Sequence, residues 1–173
     1  MAITKAYFSK QPLYISQSKG NNGIPSEVYS SDAIALENAI AKYEKQFLAY
    51  LLGKELAKEF LTTIDDVKWD ALKALLYDSE ALESPIANYI YFWYLHDHSA
   101  SYNGETFKQA KSDSSVTIQV VQKQVQVWGE MKETVQEIMD WIVADTTAVI
   151  ETTATADYSK WSKLLTNYNS KGI

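Results

Sequence analysis

Apolar side chains return along much of this chain at the steps of a helix rather than the alternation of a strand. Leu36, Ile40, Tyr43, Phe47 and Tyr50 recur at steps of four and three, which line one helical face, and Ser31 or Asp32 is placed to cap it. Gly53 is expected to bend or end that helix. Leu52, Leu56 and Phe60 then continue the pattern to Thr62, and a shorter amphipathic turn carries Trp69, Leu72, Leu75 and Leu76. Ser84-Pro85 is a helix start signal, with serine able to cap and proline suited to the first turn. The stretch it opens, Ile86 to Leu95, is apolar on nearly every side, so it reads as the central helix. Val121, Val125, Trp128, Met131, Val135, Ile138 and Ile142 keep the helical step and predict a long helix ending near Ala144.

Three stretches lack this periodicity. Residues 1 to 30 contain Pro12, Gly20, Asn21, Asn22, Gly23 and Pro25 and read as an extended arm, with Tyr7 to Ile15 able to pair as a strand or lie in a groove. Ser99 to Ser115 is polar and broken by Asn103-Gly104, which suits a projecting loop or short β-hairpin. After a threonine-rich run from Thr146 to Thr155, Asp157 is placed to cap a last amphipathic turn bearing Trp161, Leu164, Leu165 and Tyr168. The expected fold is therefore all-α: an antiparallel helical bundle over residues 31–145, preceded by an N-terminal arm at 1–30 and followed by a tail at 146–173. The projecting loop or hairpin falls before the last long helix.

With 173 residues the chain is long enough for one domain with a real core. It has no cysteine, which removes disulfides, thiolate zinc sites and cysteine nucleophiles. Met1 to Lys5 leads into no signal-like apolar stretch, and no apolar run approaches the ~20 residues of a spanning helix, so neither export by that route nor a membrane protein is expected. All sixteen basic residues are lysine, and the net charge is -6, which together argue against specific nucleic-acid recognition. Residues 1 to 29 carry three lysines and one glutamate, so the arm is basic and the remainder acidic. Such an arm is able to dock on another molecule's body. Twelve tyrosines and five tryptophans supply large amphipathic side chains for core and interface alike.

His96-Asp97-His98 is the one cluster that resembles metal chemistry. Residues two apart on a helix point about 200° apart, so the two histidines do not share an ion unless the helix end unwinds, and no metal or cofactor is expected. Asp65, Asp66, Glu80 and Glu83 read as solvated helix and loop carboxylates rather than an acid-base pair, and neither Gly104 nor Gly129 has a phosphate-loop context. Trp93, Trp128 and Trp141 read as packing anchors. The chain is expected not to be an enzyme.

Tyr43-Glu44-Lys45 leading to Leu51-Leu52-Gly53-Lys54-Glu55-Leu56 and Glu59-Phe60, then Lys68-Trp69 with Leu72, then Ser84 to Leu95, then Gln122 to Trp128 occur in an order that resembles small structural proteins of tailed phages and prophages of Bacteroidetes hosts. Those proteins in turn are similar to the helical head-tail connector, or adaptor, family. The resemblance covers residues 32 to 143. It implies a virion protein of the neck, assembled in the bacterial host cytoplasm as a ring, usually twelve-fold, with self, the portal protein and the next neck or tail protein as partners. It implies no enzyme activity or cofactor. Side chains expected at interfaces are Tyr7, Phe8, Leu13 and Tyr14 in the arm, Tyr102 and Phe107 in the loop, and Tyr158, Trp161, Leu165 and Tyr168 in the tail. The competing expectation is a monomeric helical module that binds a host or phage protein. On the connector reading, removal of residues 1 to 29 is expected to preserve helicity while weakening association.

Overall fold

A computed structural model describes the backbone of residues 3–15, 26–99 and 114–144, and the side chains of 3–15, 34–97 and 122–142. Among the described residues five α-helices form an all-α bundle: α1 (Ser26–Leu52), α2 (Lys54–Thr62), α3 (Asp70–Leu76), α4 (Pro85–Ser99) and α5 (Ser114–Ala144). No strand occurs among the described residues, only an isolated antiparallel bridge between Asp78 and Glu83.

Gly53 separates α1 from α2 with φ 79, a left-handed conformation that costs glycine little and a side-chain-bearing residue more. The chain turns there, and α2 packs back on α1. The start of α4 follows its sequence signal closely. Ser84 Oγ accepts from the backbone N–H groups of Ile86 and Ala87 at 3.1 and 3.4 Å, and it donates to the Leu76 carbonyl at 2.7 Å. One buried hydroxyl thereby caps α4 and ties it to the end of α3. Between them, Asp78 Oδ1 accepts from the N–H groups of Glu80 and Ala81, closing a turn in which Leu82 takes a positive φ of 57.

α4 lies between α1 and α5. Tyr89 packs against Phe47 while Trp93 stacks on Tyr43, so α1 and α4 are antiparallel. Asn88 reaches Val127 and Gln124 reaches Phe92, so α4 and α5 are antiparallel as well. Ile86, Ala87, Tyr89, Ile90, Tyr91, Phe92 and Tyr94 are all buried, as expected of a central helix. Leu36, Ile40, Tyr43 and Phe47 on α1, and Trp128, Met131, Val135, Ile138 and Ile142 on α5, are buried too. Two positions depart from the sequence stripes. Val125 is half exposed, its place on the inner face taken by Gln124, and Leu75 is exposed where Leu72 and Leu76 face inward.

The N-terminal stretch is the main correction. Instead of an extended arm, Lys5–Phe8 forms a 3-10 turn, Ile15 N–H donates to the Phe8 carbonyl at 2.9 Å, and the chain folds back on itself. Ile3, Tyr7, Phe8, Leu13 and Ile15 join the same core as the helices. α1 also begins at Ser26, five residues before the expected cap at Ser31. The physical reason is area: each of these five side chains gains roughly 1.5–3 kcal/mol by leaving water, which together exceeds what a solvated arm offers. Residues 3–15 are therefore called the strap below. The hairpin expected at Asn103-Gly104 and the helix expected near Trp161 lie outside the described residues.

Because Phe8 is fully buried, Phe8→Ala should lower unfolding stability by about 3–5 kcal/mol. Thermal unfolding would report a midpoint lower by roughly 10 °C. Removal of residues 1 to 15 should destabilise the bundle further, and an unchanged midpoint for both proteins would return the strap to the role of a dispensable arm.

Candidate functional site

The strap does not lie flat on the bundle. Together with the 78–83 turn, the start of α4 and the middle of α5, it walls a cleft of about 640 Å³. Lys10 and Gln11 stand on the strap side, Asp78 and Glu83 on the turn, and Gln126 and Glu130 on α5. The exposed Leu75 of α3 lines the cleft as well. Lys10 Nζ donates to the Ala81 carbonyl, and Lys123 Nζ donates to Gln11 Oε1 at 2.8 Å. Asp78 is committed to the turn N–H groups, and Glu130 accepts from Gln126 Nε2 at 2.9 Å. The cleft is thus mixed in polarity, and its Lys10, Asp78 and Glu130 are each tied to a neighbouring group.

Beneath the strap sits a fully buried carboxylate. Glu44 Oε1 accepts from the backbone N–H of Ile3 at 3.2 Å and from the Tyr77 hydroxyl at 3.4 Å. The sequence pattern gave no sign of it, since a glutamate beside the apolar Tyr43 reads as a solvated neighbour. Its function is legible only once the strap is in place: it satisfies a backbone donor at the strap's beginning. Lys5 Nζ adds an ion pair with Glu37 at 2.6 Å nearer the surface.

A second polar cluster lies at the far end of α4. The Tyr43 hydroxyl donates to Asp97 Oδ2 at 2.5 Å and accepts from Lys42 Nζ at 2.9 Å, while His96 meets the Trp93 ring edge-on at 5.5 Å. α4 stays helical through Ser99, so His96, Asp97 and His98 all stand on regular helical backbone. Among the described residues no group of three or more His, Asp or Glu side chains is arranged to hold a metal ion. Asp66 accepts from Lys68 N–H at 3.2 Å and so caps the short turn that follows it.

Of the ten side chains expected at interfaces, Tyr7, Phe8 and Leu13 are buried within this chain, 4% or less exposed, and serve the core. Tyr14 is exposed at 38%. Tyr102, Phe107, Tyr158, Trp161, Leu165 and Tyr168 lie outside the described residues. No described helix is long and apolar enough to cross a membrane. Neither protein-family models, nor curated proteins, nor solved structures offer a match to this chain.

Burial around Glu44 also sets an alkaline limit. Tyr77 is pushed far above the ordinary tyrosine value of 10.0, first by burial, then by the Glu44 charge and by its hydrogen bond to that carboxylate. Burial is the leading cause at Tyr7, Tyr43 and Tyr91 as well, and each is raised. Above pH 10 the unfolded chain releases these phenolic protons while the folded chain retains them, so stability is intact below that pH and falls as pH rises beyond it. Urea unfolding at about pH 9 and pH 11 should show this loss, with Tyr77→Phe reducing the slope by about 1 kcal/mol per pH unit. Identical slopes for the two proteins would mean that Tyr77 ionises freely in the fold.

Proposed function

We propose that this protein is a structural assembly component, a head-tail connector that forms a ring between the portal and the tail of a phage particle. The family resemblance in residues 32 to 143 motivates the reading, and the bundle is of the helical kind that the resemblance implies. The observation that carries it further is the outer face of α5. This helix is 31 residues long, about 46 Å, against 15 residues and about 22 Å for its partner α4. Glu130, Lys132, Glu133, Gln136, Glu137 and Asp140 are exposed along it, four carboxylates to one lysine. Repeated around a ring, such a face gives a passage that repels phosphate and lets DNA slide, whereas a basic lining would retain it.

A monomeric helical binding module is the second reading. Among the described residues the exposed Ile34, Val67 and Val125 stand on separate elements, which suits a chain that does not self-associate through one apolar face. The connector reading places its contacts on polar faces and on the loop and tail.

Light scattering separates the two. The chain has a mass of 19.6 kDa, and a connector should run at a multiple of that mass alone or join a stable complex when mixed with the portal protein encoded beside it. A protein that stays at monomer mass and ignores the portal would point to the binding module.

A further inference from the structure

The cleft beside the strap presents apolar surface inside a ring of negative charge. Trp69, Leu72 and Leu76 of the α3 stripe are buried, and Leu75 alone of it stays exposed, where it lines the cleft with the half-buried Leu82. Around them stand three carboxylates, Asp78, Glu83 and Glu130, against one ammonium, Lys10, which is itself directed to the Ala81 carbonyl. A volume of about 640 Å³ takes a few large side chains rather than a whole helix. An occupant suited to this cleft therefore carries bulky apolar groups on one face, with positive charge along its edge.

Residues 157–168 of the same chain have that chemistry. At helical spacing Trp161, Leu164, Leu165 and Tyr168 fall on one face, with Lys160 and Lys163 along one edge of it and Asp157 the only acid in the stretch. The tail also starts from the right place. α5 lines the cleft with Gln126, Glu130 and Thr134 and ends at Ala144, ten residues or about 15 Å beyond Thr134. The twelve residues 145–156 span up to about 40–43 Å, enough to turn back over that distance with slack. A short tether holds its segment at an effective concentration in the millimolar range, so the chain's own tail outcompetes a free partner of equal fit.

We propose that residues 157–168 seat on this cleft in the lone chain, with Trp161 and Leu164 against Leu75 and Leu82 and with Lys160 and Lys163 toward the Glu83 and Glu130 carboxylates. The contact is autoinhibitory. The aromatic side chains of the tail meet a partner only after leaving the cleft, and the same step opens the cleft. This device is independent of the connector reading, since it needs neither a ring nor a portal.

The sequence has no cysteine, so paired substitutions report the contact in the full chain. Leu75→Cys/Leu164→Cys and Val67→Cys/Leu164→Cys proteins are treated, dilute, with a short bismaleimide, and closure within one chain is followed by gel mobility at monomer mass. Both bundle positions are exposed, which leaves the core untouched. Val67 is the more exposed, 78% against 37% for Leu75, and does not line the cleft, so a tail that samples the surface at random bridges it at least as fast. Seating predicts closure at Leu75 about tenfold faster than at Val67, and a several-fold slowing when Lys160→Glu and Lys163→Glu are added. Closure at Leu75 no faster than at Val67, or unaffected by the two charge reversals, would overturn the inference. Bridging only between chains, rising with concentration, would give the cleft to a second copy and overturn it as well. A protein that fails this test yet joins its portal leaves the connector reading standing without the contact.

Discussion

Tyr89 stands where three helices meet, and the remainder of the bundle is arranged around it. Its ring lies 5.6 Å from Phe47 and 6.2 Å from Tyr43 on α1, 6.2 Å from Trp93 on its own helix, and 6.2 Å from Trp128 on α5. Phe92 extends the cluster to Trp128 at 4.6 Å. Rings that pack edge-to-face or tilted accept few alternative registers, because each contact depends on angle as well as distance. This cluster therefore fixes how α1 and α5 sit along α4, and with them the groove that receives the strap.

The helices were legible from sequence because their signals are local. The three-four spacing on α1, the Ser84-Pro85 start of α4 and the positive φ available at Gly53 each act within a turn or two of chain. What the pattern missed was set by distant partners. Val125 matches the helical step but lies off the buried stripe, and the choice of Gln124 in its place depends on the Phe92 carbonyl of another helix. Residues 3–15 have no period at all, so nothing local distinguishes a strap from a solvated arm. The difference lies in Glu44, Ala81 and Lys123, which are 41, 71 and 112 positions from the strap residues they meet.

Candidate site residues followed the same division. Tyr7, Phe8 and Leu13 were singled out as aromatic and aliphatic side chains on an irregular segment, which is a sound cue for contact but silent about whether the contact is within the chain. A buried carboxylate such as Glu44 gives no cue in sequence, because the strap N–H and the Tyr77 hydroxyl that make its burial tolerable come from distant parts of the chain. Interface and core draw on the same side chains, and only the fold tells which one a given tyrosine serves.

The strap's contacts also impose an order on synthesis. Its residues leave the ribosome before any helix does, yet the groove they fill includes α5, which cannot contribute until more than a hundred further residues have emerged. Non-local closure of this kind is slow relative to helix formation, since the ends of a long stretch of chain must find each other before any contact rewards the search. The strap, made before the five helices, is thus the last of these elements to find its seat, and until it does, the groove between the 78–83 turn and α5 stays open.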